Sequence, residues 1–399
     1  MSVSTYCEPV LQLAATWLSQ CVESHAECSI QHDPAFTPTR LITIVGQHGS
    51  RIAKIEEATQ TDGPRPYVTL SYCWGDNRPV RLLQSNYQQF TNEGFAVDKL
   101  PRTIQQAVDL AIILGIPRIW IDALCIFQDQ EEDWKQESSR MGDIYGNCVV
   151  TIAAWGASSS EQGLFAVRDP LSVLSCKLFD ITLRSSSRDC CVVARQQENM
   201  GLTCHPSRLQ NGPLYNQGWV MQERLFAPRT LNFGSFISWE CKRGACSEAS
   251  PDLAKVQHSV KTLFDNFVSF KSESQTKQIL HCWNHEIVLS YTNSQLTRKS
   301  GRLIAISGAI RKLSEQIGWR NIHGLWEPHL IQQLQWTGSG NMRTGAGPTW
   351  SWTSIDGPVS YFHGDWQVEG DDKMESGHTW KLDTRNYMTR HIKLRGPNF

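Results

Sequence analysis

The sequence has little net charge and few charged residues of either sign. Its 38 Lys and Arg residues nearly balance its 39 Asp and Glu residues, and these four types make up 19% of the 399 residues. A nucleic-acid surface needs clustered basic side chains to neutralise phosphates, so the balance argues against nucleic-acid binding over the whole chain. The low charged fraction also predicts a folded chain rather than a disordered one.

Long apolar runs and repeats are missing as well. The most apolar stretch, 107–127, is interrupted by charged residues and a proline, so we do not expect it to span a membrane. The first basic residue is Arg40, so the N-terminus lacks the charged region of a signal peptide. We therefore expect a cytoplasmic protein without membrane contact, whose 13 cysteines are reduced thiols.

The pattern between 67 and 155 predicts alternating strands and helices. The predicted strands are 67–73, 119–126 and 149–154, and the predicted helices are 102–114 and 131–145. Helices of this length between strands favour right-handed crossovers and a parallel sheet. Outside this block the sequence predicts a helix within 1–30, strands at 38–45 and 229–233, and mixed structure in the remainder.

Two carboxylates in this block are candidate functional groups. Asp122 lies in an apolar run, where a carboxylate needs a partner, and both a structural partner and a role in a site are open. Glu137 shares a helix stripe with Trp134 and Met141, so it is expected to point toward the sheet. There it is either a reacting group beside the strand ends or the partner of Arg140 in an ion pair.

Cysteines and one polar motif give further candidates. Cys73 and Cys125 end predicted strands, but a nucleophilic thiol needs a base and none is near in the sequence, so packing is favoured. The run 222–224, Gln-Glu-Arg, is either a fixed polar clamp or, as we favour, a structural link. Cys21, His25 and Cys28 have the spacing of metal ligands on one helix face, but zinc takes four ligands. No matching pair follows nearby, so we predict no metal site.

These motifs together resemble the heterokaryon-incompatibility (HET) domain of filamentous fungi. The similarity covers about 67–242, in the order found in that family, and the flanks 17–42 and 303–352 also resemble segments found beside the domain. The matching motifs lie within 70–75, 120–129, 133–145, 163–168 and 218–231.

The resemblance implies an α/β fold. It predicts a TIR/flavodoxin-like parallel sheet flanked by helices, because HET domains are thought to be distant relatives of Toll/interleukin-receptor (TIR) domains. The domains expected are an N-terminal helix and strand lead-in at 1–66, the HET domain at 67–242, and an additional mixed α+β region at 243–399.

The resemblance also implies self/non-self recognition and programmed cell death, and we hypothesise that the domain hydrolyses NAD at the nicotinamide–ribose bond. Several TIR proteins do so with a helical Glu that follows a Trp by four residues. Here Trp134 precedes Glu137 by three. On this hypothesis Glu137 and Asp122 are catalytic, and the substrate-binding residues are Ser71, Tyr72, Cys73, Trp74 and Gly75. NAD is then a substrate, and no cofactor is expected.

Two other classes of function stay open. One is a non-catalytic signalling module that binds a protein partner or associates with itself. The other is a HET-like enzyme recruited to secondary-metabolite biosynthesis, with a nucleotide or another small molecule as substrate. Release of nicotinamide from NAD distinguishes the NAD-hydrolysis hypothesis from both of these classes.

Overall fold

A computed structural model gives the fold of two units, 1–265 and 266–399, which are described separately. The residues it describes are 2–28, 36–45, 51–58, 65–75, 80–170, 176–183, 188–194, 212–254, 261, 273–294, 302–339, 342–343, 347–361, 381–382 and 394–395. The domain limits predicted from the sequence, 66/67 and 242/243, stay a prediction.

The first unit contains one ten-stranded mixed sheet and a separate hairpin. The strands are β1 Arg40–Val45, β2 Ile52–Glu57, β3 Val68–Ser71, β4 Phe95–Ala96, β5 Arg118–Trp120, β6 Val150–Ala153, β7 Cys176–Leu183, β8 Arg188–Ala194, β9 Arg229–Phe233, β10 Ile237–Cys241, β11 Gly244–Ser247 and β12 Ser250–Ala254. The order in the sheet is β12-β11-β10-β9-β6-β3-β5-β1-β2-β4, and β7 pairs with β8.

The centre of this sheet is parallel, as predicted. β3 pairs in parallel with β5 and β6, and β6 pairs in parallel with β9. The order β5-β3-β6-β9 is that of the first four strands of a flavodoxin-like sheet. The outer strands are antiparallel, with β1 against β5 and β10 against β9. The α/β class is thus confirmed, but the sheet is mixed rather than wholly parallel.

Several helices in the described part of the first unit accompany the sheet. They are α1 Glu8–Ser24, α2 Tyr87–Asn92, α3 Arg102–Ile113, α4 Asp122–Cys125, α5 Glu131–Gly146 and α6 Gly218–Phe226, with short 3₁₀ turns at Ala26–Cys28, Val97–Lys99 and Pro213–Asn216. α2, β4 and α3 lie between β3 and β5 along the chain, with α3 leading into β5, and α5 leads into β6. α5 packs on α6 through the edge-on rings of Trp134 and Trp219, whose centroids are 6.2 Å apart.

The predicted strand 119–126 is too long. The strand ends at Trp120, and Asp122–Cys125 form a helical turn instead. The Asp122 carboxylate accepts a hydrogen bond from the backbone N–H of Ala123, at 2.7 Å, and an acidic side chain in the first turn favours a helix start at this point. A short apolar run does not distinguish a buried strand from a buried helical turn by its periodicity.

The second unit is a mixture of short helices and strand pairs, as predicted for the C-terminal region. Its helices are α7 Glu273–His281, α8 Leu289–Thr292, α9 Ser307–Ile317 and α10 Leu330–Gln333, with a π-helical segment Cys282–Val288 and 3₁₀ turns at Ile304–Ile306, Glu327–His329 and Trp352–Ser354. Its strands are β13 Asn321–Ile322, β14 Leu325–Trp326, β15 Trp336–Gly338, β16 Met342–Arg343, β17 Ile355–Asp356, β18 Val359–Tyr361, β19 Lys381–Leu382 and β20 Leu394–Arg395.

Tryptophans form much of the core of this second unit. Trp283, Trp326 and Trp352 are fully buried, and the indole N–H groups of Trp283 and Trp352 both donate to the Gly324 carbonyl at 3.1 Å. These rings are therefore core residues. Among the helices described, none is long and apolar enough to cross a membrane.

Candidate functional site

The carboxyl ends of β3 and β5 form the edge where the sequence places its candidate residues. From β3 the chain passes through the edge strand β4 to β5, which lies on one flank of β3, whereas β6 lies on the other flank and has β9 as its next neighbour. Connections that diverge in this way mark the point where α/β sheets bind ligands. Ser71 is the last residue of β3, and Tyr72 to Gly75 follow it at this edge.

Asp122 lies at this edge beside Trp74. The indole N–H of Trp74 donates to Asp122 Oδ2 at 2.9 Å, and Asp122 Oδ1 accepts the Ala123 N–H. Burial raises the pKa of Asp122 to about 6, although these two hydrogen bonds lower it. The sequence hypothesis brings Asp122, Glu137 and the strand end at 71–75 together, and of these Asp122 contacts the strand end through Trp74. Its partners are a backbone N–H and an indole, with no arginine among the described contacts of its carboxylate.

Glu223 is a second buried carboxylate, close enough to Asp122 for their charges to interact. It lies in α6 and is 8% exposed. Burial, with a smaller contribution from the nearby Asp122 carboxylate, raises the pKa of Glu223 to about 8, although the Ser71 and Tyr145 hydroxyls act in the opposite direction. Glu223 Oε2 and Ser71 Oγ make no hydrogen bond of ordinary geometry with the described groups. Near neutral pH the two carboxyls thus differ, with Asp122 ionised and Glu223 protonated.

The hydroxyls and thiols around this pair stay protonated. Burial, together with the charges of Asp122 and Glu223, raises the pKa of Tyr72 well above its ordinary value. Burial raises the pKa of Cys73 to about 11 and that of Cys125 to about 12. A thiol with such a pKa is a poor nucleophile at neutral pH, so the geometry favours the packing role for both cysteines.

Gly75 packs closely against Ser159. Its φ is +76°, and a Cβ atom there would lie 2.6 Å from the Cβ of Ser159. The sequence hypothesis places Gly75 among the substrate-binding residues, and the structure shows its close approach to Ser159.

We expect Gly75→Ala to destabilise the first unit more than Gly115→Ala. Gly115 has nearly the same φ, +75°, but nothing lies within 4 Å of its added Cβ. Gly115→Ala should therefore cost about 1 kcal/mol for the left-handed backbone alone, and Gly75→Ala about 1–3 kcal/mol more for the overlap with Ser159. Thermal unfolding of the two variants measures the difference, and equal midpoints would contradict the close contact.

Glu137 lies in a different set of contacts. It is fully buried, and its Oε1 accepts a hydrogen bond from Thr39 Oγ1 at 2.6 Å and faces Arg140 Nη1 at 3.5 Å. Arg140 also donates to Thr39 Oγ1 at 2.6 Å. None of the described contacts of this carboxylate is with Asp122 or with 71–75. The geometry favours the ion pair, and catalysis by Glu137 stays a prediction.

Asp133, in the same helix as Glu137, also contacts a residue that precedes 67–242 in the sequence. Asp133 Oδ1 pairs with Arg40 Nη2 at 2.5 Å, and its Oδ2 accepts the Phe127 N–H at 2.8 Å. Arg40 Nε further donates to the Cys125 carbonyl at 2.7 Å. The residues Thr39 and Arg40 thus hold both acidic side chains of α5 that face them.

Comparison with protein families identifies this region. The model for heterokaryon incompatibility protein (HET) matches residues 67–223. The chain contains a HET domain. The match begins just before β3 and ends at Glu223, so all the residues around the Asp122–Glu223 pair belong to the HET domain. Comparisons with curated proteins and with solved structures find no match.

Two features of the HET-domain unit were missed by the sequence interpretation. Glu223 was assigned to a structural link, because nothing in the sequence shows that α6 brings it to Ser71 and Asp122. The expectation that Cys21, His25 and Cys28 lack a fourth partner is wrong, because Cys241 at the end of β10 lies beside them. The nine cysteines whose side chains are described are free thiols: Cys7, Cys21, Cys28, Cys73, Cys125, Cys148, Cys241, Cys246 and Cys282.

Proposed function

We propose that the HET domain acts in heterokaryon incompatibility, within cell-death signalling, by hydrolysing NAD at the nicotinamide–ribose bond. The observation that carries the proposal is the Asp122–Glu223 pair, whose pKa values of about 6 and about 8 are separated by the environment. Two neighbouring carboxyls in different protonation states are the usual arrangement for cleaving a glycosidic bond. A TIR-like relationship is supported by the strand order β5-β3-β6-β9.

Each carboxyl has a separate task in this reaction. When the C–N bond breaks, its electron pair leaves with nicotinamide, and positive charge develops on the ribose. The ionised Asp122 stabilises that charge and then takes a proton from the attacking water, which forms the new C–O bond. The protonated Glu223 donates a hydrogen bond to a ribose oxygen. Tyr72 and Trp74 flank the substrate, the former as a neutral hydroxyl and the latter as a stacking surface.

Nicotinamide release from NAD by the purified full chain tests the proposal. We expect turnover by the wild type, and a loss of about 100-fold or more in Asp122→Asn and Glu223→Gln, since each removes one acid–base group. Turnover should rise with pH through about 6, as Asp122 ionises, and fall through about 8, as Glu223 ionises. Glu137→Gln is the matched control, because Glu137 is also a buried carboxyl group but contacts Thr39 and Arg140.

The outcomes separate the hypotheses. Loss of turnover in a folded Glu137→Gln variant, with activity kept in Asp122→Asn and Glu223→Gln, assigns the reaction to Glu137 and contradicts the pair. A folded wild type that releases no nicotinamide contradicts NAD hydrolysis. In that case the non-catalytic signalling module, or another small-molecule substrate, takes its place.

A further inference from the structure

Three cysteines and one histidine of the first unit converge away from the carboxylate pair. Cys21 is in the last turns of α1, His25 follows that helix, Cys28 ends the 3₁₀ turn Ala26–Cys28, and Cys241 ends β10. One ligand atom from each of the four lies within 4.8 Å of every other. Cys21, Cys28 and Cys241 are buried, with at most 3% exposure.

The separations suit a tetrahedral metal ion. Zinc binds sulfur at about 2.3 Å and nitrogen at about 2.0 Å, which places a sulfur and a nitrogen ligand about 3.5 Å apart and two sulfurs about 3.8 Å apart. Cys241 Sγ lies 3.6 Å from His25 Nδ1. A set of three thiols and one imidazole is also the chemistry that zinc prefers over magnesium or calcium, which take oxygen ligands.

The surroundings suit a charged thiolate site. Three thiolates around a divalent ion leave one net negative charge, and the Arg229 guanidinium Nε donates to Cys21 Sγ at 3.2 Å. The backbone N–H groups of Lys242 and Arg243, in the turn between β10 and β11, lie within hydrogen-bond reach of the Cys28 thiol. Outer contacts of this kind orient ligands and balance their charge.

From this geometry we infer that Cys21, His25, Cys28 and Cys241 form a structural zinc site. The four protein ligands fill a tetrahedral coordination sphere and leave no position for substrate. The ion joins the C-terminal end of α1 to the end of β10, two elements far apart in the sequence. The site is independent of the proposed NAD hydrolysis.

Metal analysis of the full chain tests the site. We expect about one zinc per chain in the wild type, and loss of most of it in Cys241→Ser after dialysis against a chelator. Cys246→Ser is the matched control, because Cys246 is a buried cysteine of the neighbouring strand β11 that lies outside the cluster. Cys246→Ser should keep its zinc.

A second measurement does not depend on the folding of a variant. Wild-type protein stripped of metal and titrated with Co²⁺ should show thiolate-to-cobalt charge transfer and tetrahedral d–d bands that saturate at one equivalent. The inference is overturned if the wild type contains no zinc and develops no such bands. It is also overturned if Cys241→Ser keeps as much zinc as Cys246→Ser, or if mass spectrometry finds a disulfide among Cys21, Cys28 and Cys241.

Discussion

Arg168→Met is expected to destabilise the first unit by about 3–5 kcal/mol, because it leaves a buried carboxylate without its countercharge. Arg168 and Glu248 form a two-pronged ion pair, with both N–O distances at 2.6 Å and both side chains almost fully buried. Arg168 also donates to the carbonyls of Ser2 and Ser235. The guanidinium therefore connects the chain start and the β9–β10 turn to Glu248, which precedes β12.

Thermal unfolding measures this effect, with a fall in midpoint of roughly 10 °C. Lys135→Ala is the matched control, because Lys135 and Glu131 form an ion pair at 2.8 Å whose side chains are 63% and 76% exposed. An exposed pair of this kind contributes little to stability, because solvent screens its charges. The double variant Arg168→Met/Glu248→Gln should recover part of the loss, since it removes the unpaired charge. Equal midpoints for Arg168→Met and Lys135→Ala would show that the buried pair does not support the fold.

The second large effect is a fall in stability as the pH rises toward 8. Burial raises the pKa of Glu223 from 4.5 to about 8, so the folded protein holds a proton that the unfolded chain releases. The stability linked to this proton is fully present below pH 4.5 and is lost as the pH rises through about 8. The free energy of unfolding should fall by about 1.4 kcal/mol per pH unit within that window.

Two variants assign this slope to its residue. Glu223→Gln should remove the slope between pH 6 and 8, and should unfold at higher temperature than the wild type at pH 8. Asp122→Asn should act only in the lower window, because the pKa of Asp122 is raised from 3.8 to about 6. Unfolding midpoints measured across this range give the slopes. A Glu223→Gln profile parallel to that of the wild type would contradict a protonated Glu223 in the folded state.

Local signals in the sequence predicted the central elements but not the partners of their polar side chains. The alternation of apolar runs and helical stripes placed β3, β6, α3 and α5 within a few residues, because these periods are local properties of the chain. The convergence of Asp122 with the end of β3 followed from the rule that parallel strands end at one edge.

The predictions that failed concerned contacts between residues that are far apart in the sequence. The helix stripe correctly predicted that Glu137 is buried, but its acceptor role toward Thr39 depends on where β1 enters the sheet. Likewise, Cys241 meets Cys21 only because α1 packs on β10. Spacing within one segment carries no information about such neighbours. The raised pKa of Glu223 could not be predicted for the same reason, because it results from burial by segments distant in the sequence.

The antiparallel outer strands have a consequence for where a fragment that carries this domain can be cut. The matched region 67–223 contains β5 but not β1, and β6 but neither β9 nor its partner β10. A fragment cut at those limits would present the bare flanks of β5 and β6 to solvent, and unpaired edges of this kind recruit other chains into aggregates. It would also lose Thr39 and Arg40, leaving the acids of α5 without these contacts. The segment that matches the family, 67–223, is therefore shorter than the segment needed to complete the fold.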